Sequence, residues 1–296
     1  MRTYKSEPSR TPAHAVPRRH VADSIELIDV YSYRKGMRLN LQRWDPKTML
    51  KPHRKVLYIG ASGKGKTVAM RAVLRAMPPI DLAIGFTPTD DTAAELARIL
   101  PPNCIHDSFD LEIVERSLDL QRQLAHKERS LCLIADDCGF DSAAWRSKTI
   151  RSLFMNARHN RVSLQIALQA ALSIDPSLRT NVDYVVCTAC GNHQEKRKLY
   201  QAFFGVFETY RAFDQCFTQA TSDWRCIVLD QTQPSPSIEN SVFWFKADLE
   251  AEKAPFRLCK PIFWRFAAHP PRPHQKADVL VVDDKPADKR SMVVVS

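Results

Sequence analysis

Between residues 55 and 190 the chain alternates short apolar runs with segments of helical periodicity. "KVLYIG" reads as a buried strand, "TVAMRAVLRAM" as a helix broken at "PPI", and "DLAIGFTP" as a second strand. "DDTAAELARIL" has helical spacing and "NCIHD" reads as a short strand. "DLEIVERSLDLQRQLAHKER" is a helix that sets Leu111, Val114, Leu118 and Leu124 on roughly one face. The apolar strand "LCLIADD", the helix "KTIRSLFMNARH" and the strands "VSLQIALQ" and "VDYVVCT" follow. Strands joined through long helices need crossover connections, so the sheet is expected to be mainly parallel and covered on both faces. "RCIVLD" and "SVFWFKA" are expected as later strands at an antiparallel edge.

The flanks break this rhythm. Residues 1–22 are rich in Pro, Arg and Ser and predict a basic disordered arm. Residues 23–54 hold a short strand pair, "SIELIDVY" with "MRLNLQRW", ahead of a main domain over 55–250. Residues 251–296 form a Pro-rich and charged tail in which "VLVVDD" and "VVVS" have no assigned place.

Composition narrows the class. A length of 296 residues suits one large α/β domain with appendages, and 44% hydrophobic with 26% charged residues is ordinary for a globular protein. No run of eighteen apolar residues occurs and the basic N-terminus lacks an apolar core, so neither a membrane span nor a secretory signal is expected. Cys132 and Cys187 lie inside apolar runs and read as buried thiols. "CTACGNH" offers Cys187, Cys190 and His193, but no second motif supplies a fourth zinc ligand, and a reducing compartment is expected. The net charge of +10 is uneven: residues 1–55 carry thirteen Lys and Arg against five Asp and Glu. Such an arm attracts phosphate backbones at long range, and it is equally compatible with a solvated terminus that has no fixed partner.

The chemistry concentrates in "GASGKGKT": Gly60, Ala61, Ser62, Gly63, Lys64, Gly65, Lys66 and Thr67. Glycines let backbone N–H groups curl around phosphate oxygens, and the following helix aims its N-terminus at the anion. In this pattern Lys66 reaches the β- and γ-phosphates of a nucleoside triphosphate, and the Thr67 hydroxyl ligates Mg²⁺. Seventy residues on, Asp136 and Asp137 end an apolar strand; Asp136 suits the metal and Asp137 the attacking water. Gln169 ends the next strand, where an amide can contact both γ-phosphate and water, or simply cap the strand. Arg158 and Arg161, in "NARHNR" just before it, are either solvated surface residues or arginines that enter a neighbouring subunit's site.

As an ordered set these residues resemble the FtsK–HerA superfamily of DNA-pumping ATPases, and within it the genome-packaging ATPases of poxviruses and related large DNA viruses. The likeness runs from about Lys55 to Val186 and includes "FTPT", "LCLIADD", "ARHNRVSLQIALQ" and "LRTNVDYVV". It implies a RecA-like P-loop three-layer α/β sandwich, ATP and Mg²⁺ as cofactors, Asp137 and Gln169 as catalytic groups, and Arg158 as the trans arginine finger, with Arg179 second. It further implies ring oligomers, usually hexamers, that pull double-stranded DNA without regard to sequence, with capsid or portal proteins as partners at the site of virion assembly. A cellular or mobile-element translocase of the same superfamily is the alternative, and a non-hydrolysing nucleotide-binding adaptor is a third reading. A GTPase is disfavoured because no N/T-K-x-D motif follows the acidic strand.

Overall fold

In the computed structural model, which describes residues 27–31, 38–124, 128–138, 142–268, 279–282 and 292–295, the expected alternation of strands and helices is present. The order is β1 (Leu27–Tyr31), β2 (Arg38–Gln42), α1 (Pro46–Met49), β3 (Lys55–Ile59), α2 (Lys66–Ala76), β4 (Leu82–Phe86), α3 (Asp90–Ala97), β5 (Ile105–His106) and α4 (Leu111–Leu124). There follow β6 (Leu131–Asp136), α5 (Ser142–Trp145), α6 (Lys148–Asn156), β7 (Val162–Leu168), α7 (Pro176–Arg179), β8 (Tyr184–Cys187), α8 (His193–Ala202) and α9 (Tyr210–Ala220). The last are β9 (Cys226–Asp230), α10 (Ile238–Ser241), β10 (Val242–Phe245), α11 (Leu249–Lys253), α12 (Pro261–Ala268), β11 (Val279–Val282) and β12 (Met292–Val295). The basic arm 1–22 lies outside the described residues.

Eight strands form one sheet in the order β10-β9-β8-β3-β7-β6-β4-β5. From β8 to β5 every pairing is parallel, while β9 runs antiparallel to β8, and β10 to β9. The antiparallel edge is thus where the sequence pattern set it. Central strands are buried on both faces and their side chains alternate between two apolar layers. On β3, Leu57 and Ile59 join the layer of α4, α6, α8 and α9, while Val56 and Tyr58 join that of α2. The fold is a three-layer P-loop α/β sandwich.

Three details depart from or extend the sequence reading. On α4 the buried stripe is Val114, Leu118 and Gln121, with Leu111 and Leu124 only half-buried. Steps of four and three residues carry the stripe onto Gln121, whose burial is tolerated because Nε2 donates to the Arg129 carbonyl at 2.7 Å. The β1–β2 pair is docked: Leu41 and Trp44 are fully buried, the Trp44 N–H donates to the Trp244 carbonyl at 2.7 Å, and its indole packs on Tyr184 and Phe245. It shields the β10 edge of the sheet.

The third detail is a strap. Residues 254–260, expected as irregular tail, cross from α2 to β4. Arg75 Nη2 donates to the Ala254 carbonyl at 2.6 Å, and its guanidinium lies 4.3 Å from the Phe256 ring centre. Leu258 is buried and its N–H donates to the Ile99 carbonyl at 2.8 Å, while the Lys260 N–H donates to the Asp81 carbonyl at 2.9 Å. Helix α12 follows, with Trp264 Nε1 donating back to Leu258 at 2.7 Å. β11 and β12 pair antiparallel.

Candidate nucleotide site

In a parallel sheet the carboxyl ends of the strands form the binding edge, and three polar tips meet there around β3. The loop leaves β3 at Gly60, whose N–H donates to the Leu168 carbonyl at 3.1 Å. A Cβ on Gly60 would lie 1.9 Å from Thr188 Oγ1, so the loop's first position has no room for a side chain. Gly65 adopts φ +85° and forms the N-cap of α2 without a side-chain cap. The helix therefore offers its first-turn N–H groups, with the positive end of its dipole, to an external anion.

Lys66 is only 5% exposed; its Nζ stands 3.4 Å from the Ala61 carbonyl and 3.5 Å from Asp137 Oδ2. Thr67 Oγ1 donates to Asp136 Oδ2 at 3.1 Å. Asp136 ends β6 at 2% exposure. Burial pushes its carboxyl up to about 6, helped by the charge of Asp137 and opposed by the Thr67 hydrogen bond and the Lys66 charge. Asp137 takes φ +49°, a left-handed backbone that turns its side chain back over the site, with its N–H donating to the Ala167 carbonyl at 3.3 Å. Its Oδ2 also accepts from Gln169 Nε2 at 3.2 Å. Lys66, Thr67, Asp136, Asp137 and Gln169, far apart in sequence, thus form one connected cluster.

The arginines lie elsewhere. Arg158 is exposed just past α6, at the start of β7, whereas Gln169 follows the end of that strand. Seven residues of strand separate the two ends by roughly 20 Å, so Arg158 cannot serve its own site. Arg161 is half-buried beside Arg54 and His53, whose imidazole is held below its ordinary pKa by burial first and then by these two arginines. Arg179 Nε donates to the Ile174 carbonyl at 2.9 Å, a structural bond within its own turn.

Two site residues had not been singled out. Thr188, following β8, is buried against Gly60, and its Oγ1 has no hydrogen-bond partner among the described residues. Thr87, following β4, is buried with its Oγ1 likewise unpartnered. The signal was available: both, like Asp136 and Gln169, are polar residues at the tip of an apolar run. A crowded Gly60, an uncapped helix, a hydroxyl–carboxylate pair and an unpaired buried hydroxyl beside the loop fit a phosphate chain with a hard cation.

The sequence matches the model of the family described as Poxvirus A32 protein over residues 41–200, just over half the chain. That span begins before the expected Lys55 and so takes in Leu41 and Trp44 of the docked N-terminal segment. An uncharacterized protein of Acanthamoeba polyphaga mimivirus is 28% identical over 204 residues, covering 65% of this chain and 72% of that protein. One from Invertebrate iridescent virus 6 is 31% identical over 185 residues, covering 60% and 70%. Among solved structures, the genome packaging NTPase B204 from Sulfolobus turreted icosahedral virus 2, in complex with AMP, aligns with TM-score 0.49 at 13% identity, covering 67% of this chain and all of that one.

Proposed function

The chain belongs to the Poxvirus A32 protein family, P-loop ATPases of the FtsK–HerA type, and from that premise we propose that it spends ATP to move double-stranded DNA into a preformed viral capsid. The observation that carries the hydrolytic part of this reading is the ring of contacts on Asp137: one carboxylate oxygen lies 3.5 Å from Lys66 and 3.2 Å from Gln169. A protein that only held a nucleotide would need the loop and Lys66. It would have no use for a second carboxylate and an amide poised where water attacks.

In this mechanism the loop N–H groups and Lys66 bind and orient the β- and γ-phosphates. Thr67 and Asp136 would hold Mg²⁺, which supplies neutralising charge to the same oxygens. Asp137 accepts the proton of the attacking water, and Gln169 fixes that water and senses whether the γ-phosphate is present. Strand β7 links Gln169 rigidly to Arg158 at its other end, giving a path from one subunit's γ-phosphate to an arginine that enters the next subunit's site. The DNA contacts fall on phosphates, because a motor must grip every sequence it moves. Subunits assemble as a ring, a hexamer in this reading, that meets capsid or portal proteins during virion assembly. Among the described residues no helix is long and apolar enough to cross a membrane.

The test is the ATPase rate of the full chain with and without double-stranded DNA. DNA-stimulated hydrolysis is expected. A rate that DNA leaves unchanged removes the translocase, and no hydrolysis under any condition leaves the adaptor.

A further inference from the structure

Trp224 is 74% exposed, whereas Trp44, Trp145 and Trp244 are buried and Trp264 is half-buried. Its position relative to the loop is specific: indole Cε3 lies 3.9 Å from where a Cβ on Gly65 would sit. The backbone there is strained, with Asp223 at φ +53° and Trp224 at φ +61° in consecutive positions. Two left-handed non-glycine residues in succession are unfavourable, and such a turn persists only where its surroundings impose it. Here Arg225 imposes it. Its N–H donates to the Ser222 carbonyl at 3.0 Å, closing the turn, and its guanidinium binds the Ser222 carbonyl, the Ser222 hydroxyl and the Gln219 carbonyl. One guanidinium thus braces the turn that carries the exposed indole beside the phosphate loop.

Sheet order then decides which part of a nucleotide the indole meets. β3 has β7 on one side and β8 on the other. Asp136, Asp137 and Gln169 all lie on the β7 side, so the γ-phosphate end points that way. The nucleoside end leaves on the β8 side, and Trp224 stands there, two residues before β9 begins beside the end of β8. Val68, directly after Thr67 on the first turn of α2, is 37% exposed and adds an apolar surface at the same helix end. An aromatic face and a valine next to the loop, with no fixed hydrogen-bonding pattern, suit a flat heteroaromatic ring of any base.

We propose that Trp224 is the nucleobase platform of this site, stacking the base with Val68 beneath it, and that Arg225 is the positioning residue that aims it. The assignment rests on the nucleotide site proposed above and goes beyond it by naming what holds the base. The full chain is titrated calorimetrically with ATP, GTP and inorganic tripolyphosphate, each with Mg²⁺. Trp224→Ala is expected to lose about 5- to 150-fold in affinity for ATP and for GTP, the range that one base–aromatic stack is worth, and to bind tripolyphosphate like wild type. Trp224→Phe is expected to keep most of the ATP affinity. The indole emission of wild type should change with ATP and not with tripolyphosphate. Unchanged ATP affinity in Trp224→Ala overturns the platform, and so does an equal loss for ATP and tripolyphosphate, which would make Trp224 a support for the loop. Lys66→Ala separates the two levels: it should weaken all three ligands, and if wild type binds none of them the nucleotide site itself fails.

Discussion

Replacing Asp136 with Asn should make the protein more stable while disabling it. Wild-type Asp136 keeps its proton up to about pH 6, against an ordinary 3.8, chiefly because burial disfavours the anion. Between these values the folded state binds a proton that the unfolded chain has released, so stability falls as pH rises from about 4 to about 6. Above that window the full difference, about 2–3 kcal/mol, stands as a cost of holding the anion in place. Asn is nearly the same size, carries no charge, and its Oδ1 can still accept the Thr67 hydroxyl. In urea titrations without metal or nucleotide, Asp136→Asn should therefore exceed wild type by about 2–3 kcal/mol near neutral pH, and the gap should shrink by roughly half near pH 5. Mg²⁺-ATP at saturating concentration should reverse the ranking, since a ligand at a thousand times its Kd adds about 4.1 kcal/mol to the protein that binds it and the Asn variant has lost a metal ligand. A variant no more stable than wild type, or a gap that ignores pH, would refute the reasoning.

Lys66→Ala should abolish hydrolysis and weaken ATP binding in filter or calorimetric assays while the thermal transition persists, because it removes the buried cation at the phosphates. Asp137→Asn should still bind Mg²⁺-ATP yet lose about 10²–10⁴ in single-turnover rate; a near-normal rate would move the base elsewhere. Arg158→Ala should be inactive alone and regain activity when mixed with Lys66→Ala, because some interfaces then pair an intact loop with an intact arginine worth roughly 10³–10⁵. Mixed oligomers that stay silent would exclude it. Gly60→Ala should impair nucleotide binding through the 1.9 Å clash with Thr188 Oγ1, and adding Thr188→Ala should restore part of it.

Most of the sheet was legible because β3, β6 and β8 are buried on both faces and read as near-continuous apolar runs, while β7 keeps enough apolar residues around the buried Ser163 and Gln165 to read as a strand. The same contrast exposed Asp136, Asp137 and Gln169, polar groups placed where a run stops. What stayed hidden depended on distant partners. Gln121 looked like a polar position on α4 until the Arg129 carbonyl satisfied it. Thr188 became a site residue only when parallel pairing set β8 beside the first glycine of the loop. Trp224 sits in the polar stretch "SDWR", where nothing local announces that a strained turn aims it at Gly65. The arginines show the converse: the resemblance ranked Arg158 ahead of Arg179, but the sequence did not show that Arg158 is exposed, Arg161 half-buried and Arg179 bonded within its own turn.

The strap over residues 254–260 sets an order of assembly. Arg75, on the helix that opens at the phosphate loop, finds the Ala254 carbonyl 179 residues further along, and Cys259 meets the Ala83 N–H across 176. Closing such long loops must be paid for in entropy before any contact rewards it. During synthesis α2 and β4 therefore leave the ribosome with part of their outer surface bare, and wait about 10 to 40 seconds, at ordinary elongation rates, for the segment that covers it. A chain halted before Ala254 would carry every residue of the phosphate loop and the acidic pair, and still present that uncovered surface to chaperones or to its own kind.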